Sequence, residues 1–262
     1  MTTEKAGHIV WHDLFTPDKG RSMAFFERVA GWAFVTERAT DFAWGGGERD
    51  FVLALRDKEA GAGFAETPEG MSSGWIAYVE VLDVDAAAAR AEAFGGTIVR
   101  QPFDVPGVGR NALLRDPLGA LFGISFSRHG FPVPRRQFGL EIYVSGTVAF
   151  PAAFYSRVLN WNAEAVATAE PAAGMITGPS GESVAVHLPG TATPDAPVMW
   201  TPCVRVPNTD KARRSAEDLG AQCLKGPGAE TAAELGFFMR GPGGACFWLT
   251  GAGARSAAAA VL

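Results

Sequence analysis

The chain has 262 residues, of which 47% are hydrophobic and 19% are charged. This composition is typical of a globular protein and excludes intrinsic disorder and collagen-like structure. The formal net charge is −5, with 23 lysines and arginines against 28 aspartates and glutamates. The positive charges are scattered along the chain, so we expect no nucleic-acid partner.

The cysteines and the apolar runs bear on the cellular compartment. Cys203, Cys223 and Cys246 have spacings that fit neither a disulfide framework nor a zinc site. The chain opens on polar residues, and no apolar run approaches the roughly 18 residues that span a bilayer. We therefore expect a cytoplasmic protein without a membrane partner.

The first elements in chain order are a strand and a helix. Residues 8–15 alternate as a strand, and residues 21–30 carry an apolar stripe at helical spacing that ends at Gly31. Residues 75–82 predict a second strand. After it, Asp83 is a plausible N-cap for an alanine-rich helix.

Three further strands follow that helix. Residues 97–100, 111–115 and 120–125 are rich in residues that favour strands. The sequence Asp116-Pro117-Leu118-Gly119 between the last two is typical of a hairpin turn. The pattern predicts a strand–helix–three-strand (βαβββ) unit.

The sequence also contains an internal repeat. Residues 75–123 align without a gap on residues 200–248, and 14 of the 49 aligned positions are identical. Residues 25–32 match residues 154–161 at a slightly different offset. The chain is therefore expected to hold two homologous domains, residues 1–128 and 138–262, joined by a proline-containing linker at residues 129–137.

These motifs resemble the vicinal oxygen chelate superfamily of glyoxalases, bleomycin-resistance proteins and extradiol dioxygenases. The likeness rests on the opening strand followed by residues 21–26 and Gly31-Trp32, the strand leading into residues 83–85, and the turn at residues 115–119. The ordered set occurs twice, and it resembles the two-domain members. The resemblance implies an α+β fold, with two βαβββ units per domain forming a U-shaped, eight-stranded mixed sheet and helices on its convex side.

In that superfamily the concave face of the sheet holds the ligand and, in enzymes, a divalent metal. Its metal ligands come from the first, fourth, fifth and eighth strands. The positions that correspond here are Trp11, Trp75 and Gly123 in the first domain and Gly139, Trp200 and Trp248 in the second. None of these side chains can ligate a metal. A shift of one residue would bring in His12 or Glu141, and His187 is a further candidate, but one donor per site is too few.

We therefore predict no metal or other cofactor and two clefts lined by aromatic side chains. Tryptophan offers a large apolar surface and can stack on a planar ring. The predicted ligand is a small aromatic or apolar molecule. Its predicted contacts are Trp11, Phe15, Trp75, Gly123, Tyr143, Trp200 and Trp248.

Two carboxylates are candidate catalytic groups. Strand alternation places Asp13 beside Trp11, and the repeat aligns Asp13 with Glu141. A carboxyl group surrounded by tryptophans has a raised pKa and can act as a general acid or base. The alternative is a structural ion pair, for which Arg110 or Arg115 is a candidate partner.

Three functions stay open at this point. The chain is either a metal-free binding protein, an enzyme of the lyase, isomerase or dioxygenase type, or a structural module whose clefts are filled by its own side chains. The sequence also leaves open whether the clefts form within each domain or across exchanged units. The oligomeric state is expected to be a monomer or a homodimer.

Overall fold

A computed structural model describes residues 3–43, 45–145, 149–165, 173–188, 198–225 and 235–251. Within these ranges, strands form two sheets of eight. The strands of the first sheet are β1 Ile9–Thr16, β2 Ala33–Phe42, β3 Gly45–Arg56, β4 Glu59–Glu66, β5 Gly74–Glu80, β6 Thr97–Val105, β7 Gly109–Arg115 and β8 Leu121–Ser127. Those of the second are β9 Phe138–Val144, β10 Asn162–Ala165, β11 Gly174–Thr177, β12 Ser183–Leu188, β13 Met199–Arg205, β14 Gln222–Cys223, β15 Phe237–Arg240 and β16 Cys246–Thr250.

The two sheets have the same topology. The strand order is β2-β3-β4-β1-β5-β8-β7-β6 in the first and β10-β11-β12-β9-β13-β16-β15-β14 in the second. In each sheet the first strands of the two units, β1 with β5 and β9 with β13, pair antiparallel at the centre. Each sheet is built from one continuous half of the chain, so the units are not exchanged between the halves. The strands β1–β8 are called the first domain below, and β9–β16 the second.

Four helices cover one face of the sheets. They are α1 Lys19–Ala30, α2 Val84–Ala93, α3 Ala152–Leu159 and α4 Thr209–Asp218. Asp18 caps α1 by accepting from the backbone N–H of Arg21, and Asp83 caps α2 in the same way from Ala86, as its position in the sequence predicts. The chain leaves α1 through Gly31, whose φ of 69° favours glycine.

The helix-covered faces of the two sheets form a shared interior. Phe26 of α1 packs with Trp75 of the first sheet and with Phe247 of the second. On the other side of the molecule, Tyr155 of α3 packs against Phe122 of the first sheet. Helix α1 contacts α4, and α2 contacts α3. The two domains therefore share two apolar cores, and this is the predicted α+β fold.

The described helices also bear on membrane insertion. None of the helices within the described residues combines the length and the apolar run that a membrane-spanning helix needs.

Candidate functional site

The first strand sends alternate side chains to opposite faces of the first sheet. Leu14 lies in the helix-covered core, whereas Phe15 and Trp11 belong to a cluster on the other, concave face. Asp13 shares that concave face because it lies two residues from each of them. The predicted orientation of Trp11, Asp13 and Phe15 is therefore what the structure shows.

The concave face of the first sheet contains a cavity of about 350 Å³. Its volume lies in the range of small-molecule sites. Six of the lining residues carry aromatic rings, and aliphatic and polar side chains lie between them. The lining includes Trp11, Asp13, Glu37, Arg38, Phe51, Leu53, Tyr78, Phe103, Asn111, Ser125, His129 and Phe131.

Asp13 is the buried carboxylate of this cavity, with 7% of its surface exposed. Its Oδ1 accepts a hydrogen bond of 2.9 Å from the Trp11 indole N–H, and its Oδ2 accepts one of 2.9 Å from the Tyr78 hydroxyl. Burial raises the pKa of Asp13 to about 6, although both hydrogen bonds act in the opposite direction. The carboxylate therefore titrates close to neutral pH.

The predicted alternative, a structural ion pair of Asp13 with an arginine, is not found. Arg110 pairs with Asp85 at 2.6 Å and with Asp104 at 2.7 Å. Arg115 donates to the backbone oxygen of Gly119. Neither arginine is therefore the partner of Asp13.

Gly123 makes room for the ring that holds Asp13. A Cβ at Gly123 would lie 2.2 Å from Cδ1 of Tyr78, so the tyrosine ring lies directly over this glycine. The two residues are neighbours on β8 and β5. Gly123 thus acts on the cavity through the position of Tyr78.

We expect Gly123→Ala to displace Tyr78 and to lower the free energy of unfolding by about 1–3 kcal/mol, because the new methyl group overlaps the ring. Urea unfolding measures this change. Gly74→Ala is the matched control, since a Cβ at Gly74 meets no atom within 4 Å. Equal stability of the two variants would contradict the proposed role of Gly123.

Trp75, Tyr143 and Trp200 belong to the helix-covered cores and do not line the cavity beside Asp13. Trp75 and Trp200 border a second cavity of about 400 Å³, together with Phe15. Trp75 packs against Phe26 in the helix-covered core, and Trp200 packs against Tyr143 at a ring-centroid distance of 4.7 Å. The prediction shifted the strands by one residue, and a shift of one exchanges the two faces of a strand. Ile76 is the β5 residue on the concave face.

Glu141 is also misplaced by the prediction, and for the same reason. Leu14 pairs with Trp75 and Tyr143 pairs with Trp200, which makes Glu141 the equivalent of His12 rather than of Asp13. Its Oε2 lies 3.0 Å from Nε2 of His12, and each side chain is 2% exposed. Glu141 therefore belongs to the contact between the domains, where it borders a small cavity of about 30 Å³.

The second domain fills its concave face with its own side chains. Leu140, Ile142, Cys203 and Trp248 belong to one buried apolar cluster on this face. Trp248 is fully buried, stacks on Phe238 and donates its indole N–H to Thr201 Oγ1 at 3.1 Å. Within the described residues of this domain, Trp248 contacts protein atoms, which favours the filled-cleft alternative here.

The residues present on the concave faces do not fit a divalent metal. In the superfamily, the first, fifth and eighth strands supply metal ligands. In the first domain the corresponding residues on the concave face are Trp11 of β1, Ile76 of β5 and Gly123 of β8, and none of them can donate to a metal. The remaining candidate, His187, lies beside Tyr143 and bonds Ser145 Oγ at 2.7 Å. No group of three or more His, Cys, Asp or Glu side chains suited to a metal occurs among the described residues.

Comparison with known proteins identifies the family. A model of the Glyoxalase/Bleomycin resistance protein/Dioxygenase superfamily matches residues 5–124. The first domain belongs to this superfamily. In Mycobacterium tuberculosis, a superfamily protein named glyoxylase CFP32 is 37% identical over 120 residues, which are 46% of this chain and 44% of that protein. The anthracycline biosynthesis protein DnrV of Streptomyces peucetius is 31% identical over 136 residues, 47% and 48% of the two chains. The matches span about half the length of these curated relatives.

Solved structures extend the fold of the superfamily to both domains. The 2,3-dioxygenase LapB from Pseudomonas sp. KL28 superposes with a TM-score of 0.60 at 12% identity, covering 95% of this chain and 93% of that one. The Mn(II)-bound glyoxalase from Novosphingobium aromaticivorans superposes with a TM-score of 0.57 at 17% identity, covering 94% of this chain and 82% of that one. At this level of identity the likeness concerns the fold alone. Both are two-sheet structures of the vicinal oxygen chelate type, as this chain is.

Several residues of the cavity were missed by the sequence analysis. Tyr78 lies two residues after Ile76 on the concave face, so a correct register would have found it. His129 and Phe131 belong to the predicted linker, yet their rings lie 5.8 and 6.4 Å from the Trp11 ring. No local pattern indicates that a linker folds over a sheet.

Proposed function

We propose that this protein binds a small aromatic molecule in the concave cleft of its first domain, through ring contacts and Asp13 and without a metal. The observation that carries the proposal is the cavity of about 350 Å³ with aromatic walls and a buried carboxylate. Flat rings stack well on tryptophan and phenylalanine, and one polar group fixes the orientation of the ligand.

The relatives support a flat ligand. One of them is named an anthracycline biosynthesis protein, and anthracyclines are built on planar fused rings. The family model, which matches residues 5–124, includes the strand that carries Trp11 and Asp13. The walls of the cavity suit such a ring system or a fragment of it.

The test is a titration with naphthalene, anthracene and anthraquinone derivatives. Tryptophan fluorescence and calorimetry monitor binding during the titration. We expect binding by members of the panel and a loss of at least tenfold in affinity in Trp11→Ala. Trp32→Phe is the control, because Trp32 is buried against Phe26 in the helix-covered core. Absence of binding across the panel, or equal affinities of the two variants, would contradict the proposal.

A second candidate function is acid–base catalysis by Asp13. A pKa of about 6 makes this carboxylate a competent base near neutral pH. Such an enzyme would be a lyase, isomerase or dioxygenase-like member of the superfamily. Mass spectrometry of bound panel members after incubation tests it. A product that forms with the wild type and not with Asp13→Asn would favour catalysis, and unchanged ligands would favour binding alone.

A further inference from the structure

The carboxylate of Asp13 has no lysine or arginine among the groups that determine its pKa. Those groups are the hydrogen-bond donors Trp11 and Tyr78 and the neighbouring His12, whose electrostatic effect lowers the pKa of Asp13 and whose ring contacts Glu141. Two further charged side chains in the described lining, Glu37 and Arg38, are exposed. Among the charged side chains of this lining, only Asp13 is buried.

Two other basic groups, His129 and Arg100, lie near the cavity, and of these only His129 is among the described lining residues. His129 lines the wall, but burial lowers its pKa to about 4, with a smaller contribution from Lys5, so the ring is neutral at pH 7. Arg100 lies over the Phe103 ring at 3.4 Å and acts electrostatically on Tyr78. The imidazole of His129 therefore adds another ring to the wall rather than a positive charge.

The walls themselves favour a cation. The face of an aromatic ring carries partial negative charge and attracts ammonium groups. Five aromatic side chains line the cavity around Asp13: Trp11, Phe51, Tyr78, Phe103 and Phe131. A carboxylate at the bottom of a ring of aromatic side chains is the arrangement that binds organic cations.

Resting on the proposed binding function, we propose that the ligand of this cleft is an aromatic molecule with a positively charged nitrogen and that Asp13 is its counter-ion. Each carboxylate oxygen of Asp13 accepts one bond from the protein and retains capacity for a second. A charged donor forms a bond roughly twice as strong as a neutral one. A positively charged donor also offsets the free-energy cost of burying the charged carboxylate, whereas a neutral hydroxyl does not.

The test uses three naphthalene probes that differ in charge: 2-naphthylmethylammonium, which donates N–H groups, 2-naphthylmethanol and 2-naphthylacetate. We expect the cation to bind at least tenfold more tightly than the alcohol at pH 8, and the anion to bind most weakly. Calorimetry at pH 8 and pH 5 gives the second readout. The cation should lose about tenfold in affinity at pH 5, because a carboxylate with a pKa near 6 is then about nine-tenths protonated. The alcohol should change little.

Two variants separate Asp13 from the overall charge of the protein. Asp13→Asn should bring the affinity for the cation to within twofold of that for the alcohol, and it should remove the pH dependence. Glu27→Gln removes one negative charge from the exposed side of α1, outside the described lining of the cavity, and should change the affinity for the cation by less than threefold. The pH series on the wild type keeps the test decisive if Asp13→Asn does not fold.

The outcomes also distinguish this inference from the proposed function. If the cation and the alcohol bind equally at pH 8, or if Glu27→Gln weakens binding of the cation as much as Asp13→Asn does, the counter-ion role is wrong while aromatic binding stands. If none of the three probes binds, both proposals fail.

Discussion

Replacing Asp116 with alanine is expected to lower the free energy of unfolding by about 3–5 kcal/mol, the largest effect of a single substitution that we predict. Asp116 is buried, and its Oδ2 accepts hydrogen bonds of 2.6 Å from the Tyr143 hydroxyl and 2.9 Å from the Tyr155 hydroxyl. Its Oδ1 accepts from two backbone N–H groups of its own turn. The variant leaves all of these donors without their acceptor.

Urea unfolding measures this loss. The control is Asp85→Ala, which removes a carboxylate that is exposed and paired with Arg110. Pairs of this kind contribute at most about 1 kcal/mol. Asp116 lies in the first domain and both tyrosines lie in the second, so their hydrogen bonds join the two domains. If Asp116→Ala lowers the free energy of unfolding no more than Asp85→Ala does, this network does not hold the domains together.

The second large effect concerns the buried pair of His12 and Glu141. We expect His12→Leu alone to destabilise the protein by about 3–5 kcal/mol, because it leaves a buried carboxyl group without its partner. The double variant His12→Leu/Glu141→Leu should recover most of that loss, since two apolar side chains then replace the pair. The Phe138 ring, 3.9 Å from the His12 ring, offers an apolar neighbour for the new leucine.

A double-mutant cycle of urea unfolding checks this expectation. The two single variants, the double variant and the wild type should give a coupling energy of at least about 2 kcal/mol. Additive losses would mean that the pair contributes little to the contact between the domains.

The fold was predictable because the local signals agree with one another. Asp83 at a helix start, Gly31 at a helix end and the Asp116–Gly119 turn each match the structure. The repeat then showed that the plan occurs twice. Agreement between several weak patterns made the prediction firm.

The site was predictable only in part, because strand register decides which face a residue occupies. The alternation of β1 placed Trp11 and Asp13 correctly. A shift of one residue in β5, β13 and β9 put Trp75, Trp200 and Glu141, respectively, on the wrong face of the sheet. The contribution of His129 and Phe131 depends on a long-range fold of the connector, which leaves no periodic pattern in the sequence.

The connector has a consequence for any attempt to shorten the protein. Because His129 and Phe131 stand against Trp11, the segment that joins the two halves also completes the wall of the cavity. Excision of the amino-terminal half at residue 128 would remove that wall and expose the apolar surface that meets Phe247 and Tyr155. The second half thus shields apolar surface of the first, and we expect the isolated first half to aggregate.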